Sequence, residues 1–322
     1  MRVRRARDAA RRLKQLRPGQ LRMLLGRTAG RGIMVLGMHR SGTSVATRTI
    51  SMLGPSACLS DDMVRGPWNP QGHYESQTMV EVDDHLLRHM GCTWWSPPAT
   101  GPAYDEAARQ VTTSRAWARR AFLKVHPVSP WVWKDPRAVL LIPFWRSVLG
   151  SRAAALIVFR SPLDVASSLQ RRHGVSLEFG VALWERYNRL LLAHMTGMDV
   201  LVVSYEDIVS EPASWVDQAR AFVVDLGMSR ARASEDLAGS MVEPGLSHGS
   251  RSADEVASPG AHALYRELQG LRGRHRSFEP PVLADESLVV SEQLESIGPH
   301  RKLHWRPPSW SQTSAETEGS NG

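Results

Sequence analysis

The chain has 322 residues, of which 42% are hydrophobic, so it can bury one large core or two modest ones. Two cysteines are too few for a disulfide framework, and no stretch approaches the ~18 consecutive apolar residues of a membrane span. The formal net charge of +8 is confined to residues 1–31, whose eleven Arg or Lys and one Asp carry +10 and leave −2 for the other 291 residues.

The first predicted element is this basic extension. Leucines alternate with its arginines, but Pro18 and Gly19 interrupt any helix. A basic amphipathic segment can contact anionic lipid at the inner face of a membrane, although a solvated extension is the commoner outcome for such a run of charge. Nucleic acid is not an expected partner, because the extension has no aromatic residues for base stacking. Its start lacks the apolar run of a signal peptide, so we expect a cytoplasmic protein.

A strand, a tight loop and a helix are predicted over residues 33–53. The apolar strand ends at Gly37, and the helical pattern opens between Ser41 and Ser44. Such a unit aims backbone N–H groups and a helix N-terminus at one point, an arrangement that suits a phosphate-like anion. The pattern therefore predicts an anion site at this loop.

The loop differs from the one that binds nucleoside triphosphates. Gly37 and Gly42 have the spacing of that motif, but Thr43 stands where the motif requires lysine. The positive charge lies instead at Arg40, inside the loop. We therefore expect a phosphate site that is not built for ATP or GTP.

A turn-rich connector over residues 69–75 follows, and its acid–base candidates are His73 and Glu75. The alternative for Glu75 is an ordinary solvated acid. In the helix predicted next, His85 and His89 stand four residues apart and could mimic a metal-binding face. No third ligand is identifiable, so no metal is expected.

A short strand is predicted around residues 132–133, after a helix over 105–123. Lys134 and Asp135 come directly after this strand, and a helix over 138–149 follows them. Lys134 is a candidate site residue through the family resemblance described below. The alternative is that Lys134 and Asp135 form only a local ion pair of little consequence.

The apolar run over residues 154–159 predicts a buried parallel strand, with Arg160 at its carboxyl end. Residues 161–164 read Ser-Pro-Leu-Asp, a typical helix start with serine as N-cap and proline in the first turn. Arg160 is therefore a second candidate for binding an anion. The alternative is a surface charge that merely flanks the helix.

Alternation of strands and helices predicts an α/β fold, a P-loop-like three-layer sandwich with a central parallel sheet flanked by helices. The last predicted strand, residues 200–204, is followed by Tyr205. From about residue 307 the chain is too polar to fold. The predicted organisation is a basic extension, one domain and a C-terminal segment, with boundaries at 1–31, 32–275 and 276–322.

Five segments, taken together and in order, resemble the superfamily of sulfotransferases that use 3′-phosphoadenosine 5′-phosphosulfate (PAPS). The chain is most similar to bacterial-type members, with features of tyrosylprotein and carbohydrate sulfotransferases. The loop resembles the 5′-phosphosulfate loop of the family, and the other segments resemble its Asn-x-x-Gly-x-x-Glu, Lys-Asp-Pro, Arg-x₇-Ser and Tyr-Glu-Asp motifs. In this sequence the five segments are residues 37–44, 69–75, 133–137, 160–168 and 202–207.

The resemblance implies a role for each matching residue. The loop would bind the 5′-phosphate and sulfate, Lys134 would reach the oxygen that bridges them, and Tyr205 would lie near the nucleotide. Arg160 and a serine eight residues later, Ser168, would bind the 3′-phosphate, with Ser167 as an alternative. The loop residues assigned in this way are Arg40, Ser41, Gly42, Thr43 and Ser44.

The resemblance also implies in-line transfer of a sulfuryl group without a metal, assisted by a general base. Glu75 is the first candidate for that base, His73 the second, and Asp61 or Asp62 come next. The histidine base of cytosolic aryl sulfotransferases has no counterpart, because Pro136 falls near its place. The Arg-Lys-Gly segment with which cytosolic members bind the 3′-phosphate is also absent.

Two other functions remain open at this level. One is a P-loop kinase or NTPase, which would require lysine at position 43. The other is a non-catalytic nucleotide-binding protein. For a sulfotransferase, the expected acceptor is a carbohydrate, glycolipid or secondary metabolite, and the oligomeric state is not predicted.

Overall fold

A five-stranded sheet runs through the computed structural model, which describes residues 29–65, 73–150, 153–229 and 258–296. The spatial order is β2-β1-β3-β4-β5; the first three pairings are parallel, and β4 pairs with β5 in the antiparallel direction. The predicted parallel sheet is confirmed. The strands are β1 (Gly32–Leu36), β2 (Trp131–Lys134), β3 (Ala153–Phe159), β4 (Val200–Ser204) and β5 (Gly273–His275).

Helices connect and cover these strands. None of those in the described ranges is long and apolar enough to cross a membrane. In chain order they are α1 (Thr43–Leu53), α2 (Gln77–His89), α3 (Pro102–Arg109), α4 (Arg115–Val125), α5 (Ile142–Leu149), α6 (Pro162–His173), α7 (Leu177–Ala193), α8 (Tyr205–Ser210), α9 (Pro212–Asp225), α10 (Pro259–Gly270) and α11 (Leu288–Glu295).

The two faces of the sheet pack against different helices. Because side chains alternate along a strand, Ile33 and Val35 of β1 face the layer of α1 and α9, whereas Met34 and Leu36 face the opposite layer. That second layer is larger and includes α2, α4, α5, α6 and α7. Burial on both faces explains why the strands read as nearly continuous apolar runs.

The parallel strands place four loops at one edge of the sheet. From β1 the chain continues to β2 on one side and then to β3 on the other, so the direction of the connections reverses at β1. Ligands of open α/β sheets bind in the crevice at such a switch point, outside the carboxyl ends of the strands. The segments that begin at residues 37, 135, 160 and 205 all lie at this edge.

Two predicted helices differ in detail from the structure. The helix predicted over 105–123 is divided into α3 and α4 by a 3₁₀ turn at Thr112–Ser114. The helix predicted over 138–149 is a 3₁₀ helix, Pro136–Leu141, followed by α5. Pro143 lies in the first turn of α5, where its missing N–H leaves no helical hydrogen bond unmade.

Other predictions lie outside the described residues or involve weak signals. Most of the basic extension, residues 69–72 of the connector and the polar tail from 307 lie outside the described ranges. The short edge strand β5 was not predicted, because its three residues include no apolar side chain. The division into domains stays a prediction.

Candidate active site

The loop between β1 and α1 has the backbone of an anion-binding turn. Arg40 and Gly42 both have left-handed conformations, with φ of 73° and 87°, and the N–H of Ser41 donates to the carbonyl of Met38 (3.2 Å). No side chain of the described residues caps α1, so its first N–H groups are not satisfied in that way. The hydroxyl of Ser41 is buried and has no hydrogen-bond partner in the described chain. The loop therefore presents donors that suit an anion.

Close packing fixes the position of this loop. A Cβ on Gly37 would lie 2.2 Å from the carbonyl oxygen of Val158 in β3, and one on Gly42 would lie 2.2 Å from Cδ2 of Tyr205. Both positions therefore require glycine. Thr43, where a triphosphate loop would have lysine, is buried against the same turn.

Arg40 lies beside the second half of α6. Its Nε donates to the hydroxyl of Ser168 (2.9 Å), so of the two serines considered, Ser168 is the one bonded to the loop. Partial desolvation, followed by repulsion from Arg172, Arg160 and Arg171, lowers the pKa of Arg40 to about 10. Arg40 is thus cationic at neutral pH within a group of four guanidinium groups.

Arg160 extends this cationic group toward β4. Its guanidinium carbon lies 4.5 Å from the centre of the Tyr205 ring, and its Nε lies 3.6 Å from Asp164 Oδ2, beyond hydrogen-bond distance. Ser161 begins α6 as predicted, but its side chain makes no capping bond; its N–H instead donates to Glu206 (3.1 Å). Arg160 is therefore only weakly neutralised.

Lys134 and Glu75 form a buried ion pair on the other side of the loop. Lys134 Nζ lies 2.5 Å from Glu75 Oε1, and the two side chains are 2% and 15% exposed. Burial opposes ionisation of Glu75, but the charge and hydrogen bond of Lys134 outweigh it, so the pKa of Glu75 is lowered below its usual value. The alternative of a Lys134–Asp135 ion pair is wrong, because Glu75 is the partner.

Asp135 interacts with Arg137 rather than forming the predicted ion pair with Lys134, its neighbour in the chain. It caps the 3₁₀ helix by accepting the N–H of Arg137 (2.9 Å) and lies 3.3 Å from the Arg137 guanidinium. Arg137 also donates a hydrogen bond to Asp84 of α2 (2.7 Å).

Asp83, which precedes Asp84 in α2, accepts a hydrogen bond from the Trp145 indole (2.8 Å). Burial, followed by the charge of Asp135, raises the pKa of Asp83 well above its usual value. Asp83 is therefore harder to ionise than an ordinary aspartate.

The other candidates for a general base are held in different ways. The hydroxyl of Ser44 in α1 donates to the carbonyl of His73 (3.1 Å), and burial lowers the pKa of His73. Asp62 accepts from the hydroxyl of Ser76 and from the N–H and hydroxyl of Thr78 (3.2 and 2.6 Å), so it anchors the start of α2. Asp61 is exposed.

His85 and His89 lie on α2 with their ring centres 4.2 Å apart. The ring of His85 also lies 5.1 Å from that of Trp117. Within the ranges that the structure describes, no three His, Cys, Asp or Glu side chains are grouped so as to bind a metal.

Sequence reasoning missed Arg172 and His39. Arg172 lies four residues after Ser168 on α6, so both occupy one helix face, and this spacing was a usable signal. His39 directly precedes Arg40, and its ring packs 4.7 Å from that of Trp94. Nothing in the local sequence indicated that contact, because 55 positions separate the two residues.

Solved structures that are similar to this chain include two sulfotransferases. Sulfotransferase STF1 of Mycobacterium tuberculosis H37Rv is 16% identical, with a TM-score of 0.40 over 80% of this chain and 82% of that chain. The sulfotransferase domain of the Synechococcus PCC 7002 olefin synthase is 15% identical, with a TM-score of 0.36 over 84% of this chain and 96% of that one. Similarity at this level assigns neither an activity nor a substrate.

The sequence itself matches no protein-family model and no curated protein.

Proposed function

We propose that the protein is a sulfotransferase that transfers the sulfuryl group of PAPS to a hydroxyl or amine of a carbohydrate, glycolipid or secondary metabolite. One observation carries the proposal: side chains that follow four different strands meet at one edge of the sheet. The contacts that join them are Arg40–Ser168, Arg160–Tyr205 and Lys134–Glu75. Arg40 and Arg160 at a sheet switch point suit a donor with several negative charges.

The 3′-phosphate would be bound by the cationic group on the β3 side. Arg160 Nε has no hydrogen-bond partner among the described residues, and Ser168 lies one helical turn before Arg172. Two guanidinium groups and a hydroxyl are the donors that bind phosphate oxygens well. Arg172 would thus contribute the cation that the missing Arg-Lys-Gly segment provides in cytosolic sulfotransferases.

The 5′-phosphosulfate would be bound by the loop. The free N–H groups at the start of α1 and the unpartnered hydroxyl of Ser41 are oriented donors, and Gly42 lets the backbone approach closely. Thr43 and Ser44 would complete the turn. Arg40 is bonded to Ser168, so it would lie between the two phosphate sites and contact both ends of the donor, rather than the 5′ end alone.

When bound, PAPS supplies an activated sulfuryl group: the acceptor oxygen or nitrogen bonds to sulfur as the bond from sulfur to the bridging oxygen breaks. Lys134 would stabilise the negative charge that develops on the bridging oxygen. Glu75 would accept the proton that the acceptor loses, a contribution typically of ~10² to 10⁴ in rate. The products are the sulfated acceptor and 3′-phosphoadenosine 5′-phosphate.

Glu75 remains the first candidate for the base. Its lowered pKa leaves it ionised at neutral pH, and its contact with Lys134 supports a position near the proposed bridging oxygen. His73 is held neutral and is the second candidate. Asp62 is less suited, because both of its carboxylate oxygens bind the start of α2.

The kinase or NTPase alternative has two obstacles. Thr43 replaces the lysine that would bind the β- and γ-phosphates. The acid that ends β2, Asp135, is fully buried and paired with Arg137, which leaves it poorly placed for Mg²⁺.

Thermal unfolding with nucleotides tests the proposal. We expect 3′-phosphoadenosine 5′-phosphate to raise the melting temperature, and ATP to raise it much less. Arg160→Ala should weaken the shift, whereas Arg276→Ala, which removes an exposed ion pair with Asp225, should leave it unchanged. Equal shifts with the two nucleotides, or none, would contradict the proposal. Radiolabelled transfer from PAPS into an extract of the native host would then identify the acceptor.

A further inference from the structure

A group of aromatic rings adjoins the anion-binding loop. The Trp94 ring lies 4.7 Å from His39, 5.3 Å from His173 and 5.4 Å from Trp95, measured between ring centres. His39 is the residue before Arg40, and His173 follows Arg172 at the end of α6. The rings therefore lie directly beside the cations proposed to bind the donor.

Three nitrogens in this group lack hydrogen-bond partners. Nε2 of His39, Nδ1 of His173 and Nε1 of Trp95 are all buried, and none is bonded to another part of the described chain. Leaving a buried polar atom unpaired is costly, so each such atom needs an explanation. A ligand whose hydroxyls pair with these three nitrogens is one explanation.

The two histidines lie in a region of positive charge but are themselves neutral. Burial, followed by repulsion from Arg137 and Lys134, lowers the pKa of His39 well below its usual value. Burial, followed by Arg172 and Arg40, lowers the pKa of His173 to about 4. At neutral pH each imidazole therefore has one N–H donor and one acceptor nitrogen. Such groups pair with hydroxyls, which also donate and accept.

The segment that carries Trp94 and Trp95 is held at two of its carbonyl groups by neighbouring residues of α7. The Tyr187 hydroxyl of α7 donates to the carbonyl of Trp94 (2.8 Å). Arg186, the neighbouring residue, donates to the carbonyl of Pro98 (3.0 Å) and pairs with Glu286 (2.7 Å). These bonds fix the rings before any ligand binds, which lowers the entropy lost on binding.

We propose that His39, Trp94, Trp95 and His173 form the acceptor subsite, and that it binds a neutral carbohydrate ring. The C–H groups of the sugar would pack on the indoles, and its hydroxyls would bond the three unpaired nitrogens. A phenol has only one hydroxyl and reaches one point in the subsite, whereas the hydroxyls of a sugar ring point in several directions. This proposal rests on the proposed function, because the adjoining loop is taken to hold the sulfuryl donor.

Direct binding tests the subsite without sulfuryl transfer. The full-length protein, with and without saturating 3′-phosphoadenosine 5′-phosphate, is titrated with neutral mono- and disaccharides built on glucose, galactose, mannose and N-acetylglucosamine, and with 4-methylphenol. Tryptophan fluorescence and calorimetry report binding. We expect at least one sugar to bind, change the fluorescence and exceed 4-methylphenol in affinity. Binding of no sugar in this panel, or tighter binding of 4-methylphenol than of every sugar, would overturn the proposal.

Variants that keep an aromatic ring but remove the unpaired nitrogen test the contacts. His173→Phe and Trp95→Phe should each weaken sugar binding about 2- to 12-fold, equivalent to about 0.5–1.5 kcal/mol. The free energy of unfolding of His173→Phe should be unchanged or higher, since it loses an unpaired buried nitrogen, whereas Trp95→Phe also replaces the indole with a smaller ring and should lose some stability. His126→Phe is the matched control: both of its ring nitrogens are also buried without partners, but it stacks on Phe122 near the start of β2, at the opposite edge of the sheet.

The outcomes separate the two proposals. If His173→Phe and Trp95→Phe both bind sugar as the parent does, the rings are structural and the subsite is wrong. If His126→Phe weakens sugar binding as much as they do, the effect is not local and the subsite is also wrong. If sugars bind as expected but 3′-phosphoadenosine 5′-phosphate gives no thermal shift, the donor proposal fails and the carbohydrate site stands.

Discussion

Lys134 and Glu75, which are 59 positions apart in the chain, form an ion pair of 2.5 Å between Nζ and Oε1. Lys134 comes from the end of β2, whereas Glu75 precedes α2. Both are mostly buried, and a buried charge that loses its partner is strongly destabilising. The charge and hydrogen bond of Lys134 therefore favour the ionised form of Glu75 inside the protein and lower the pKa of its carboxyl group.

The first prediction concerns Glu75→Gln. We expect transfer activity to fall by roughly 10² to 10⁴, because the proposed base is lost. The free energy of unfolding should fall by about 3–5 kcal/mol, since Lys134 keeps a buried charge without a partner. Binding of 3′-phosphoadenosine 5′-phosphate should survive and should raise the melting temperature more than in the parent, because its 5′-phosphate gives Lys134 a new partner.

His73→Gln provides the comparison for this prediction. If His73 were the base, His73→Gln would abolish transfer, and Glu75→Gln would retain it once corrected for the folded fraction. Full activity in Glu75→Gln would show that our assignment of the base is wrong. Steady-state rates and thermal unfolding on the same samples distinguish these results.

The second prediction separates the two adjacent serines of α6. Ser168 accepts a hydrogen bond from Arg40, and Ser167, the neighbouring residue, is half-buried. Ser168→Ala should weaken binding of 3′-phosphoadenosine 5′-phosphate about 10-fold, since a hydrogen bond to a charged group contributes about 1.5–3 kcal/mol. Ser167→Ala should change it less than 2-fold. Calorimetric titration measures both, and the reverse order of effects would refute the assignment of Ser168.

The third prediction concerns Gly42. Gly42→Ala would place a Cβ 2.2 Å from the Tyr205 ring at a φ of 87°, so both the loop and the ring must move. We expect a loss of several kcal/mol of stability and of nucleotide binding. Gly91→Ala is the control, because Gly91 has a φ of 73° but nothing within 4 Å of the added carbon. Its free energy of unfolding should fall only by the cost of the backbone strain, about 1–3 kcal/mol. Urea unfolding compares the two, and equal losses would argue against the packing explanation.

The fourth prediction concerns the pH dependence of stability and the buried acid Asp83. Its pKa is higher in the folded protein than in the unfolded chain. Its contribution to stability is therefore complete below the unfolded pKa, near 3.9, and is lost as the pH rises toward the folded pKa. Asp83→Asn cannot lose a proton, and its amide oxygen can still accept from Trp145. We expect this variant to gain stability over the parent as the pH rises from 4 to 8, by roughly 1–3 kcal/mol at pH 8.

Urea unfolding at pH 4, 6 and 8 measures that difference. A constant difference between variant and parent at all three values would show that Asp83 titrates alike in the folded and unfolded states. A variant whose relative stability falls with pH would contradict the prediction.

Much of the fold was predictable, because its signals are local. The apolar runs of β1, β3 and β4 and the serine and proline before α6 each occupy a few consecutive residues, and short-range sterics and burial decide them. The break between α3 and α4 was not predictable in this way. Residues 110–114 have no proline or glycine, so the helical pattern continues across them.

Within the site, the sequence by itself determined which residues stand at the strand ends and where glycine is required. Parallel strands bring their carboxyl ends to one edge, so the shared location of Arg40, Lys134 and Arg160 followed from order along the chain. Only the tertiary structure decided the partners: Glu75 for Lys134, Ser168 for Arg40, and the rings around Trp94. Those contacts join side chains far apart in sequence, and their choice depends on how whole layers pack, which no local pattern encodes.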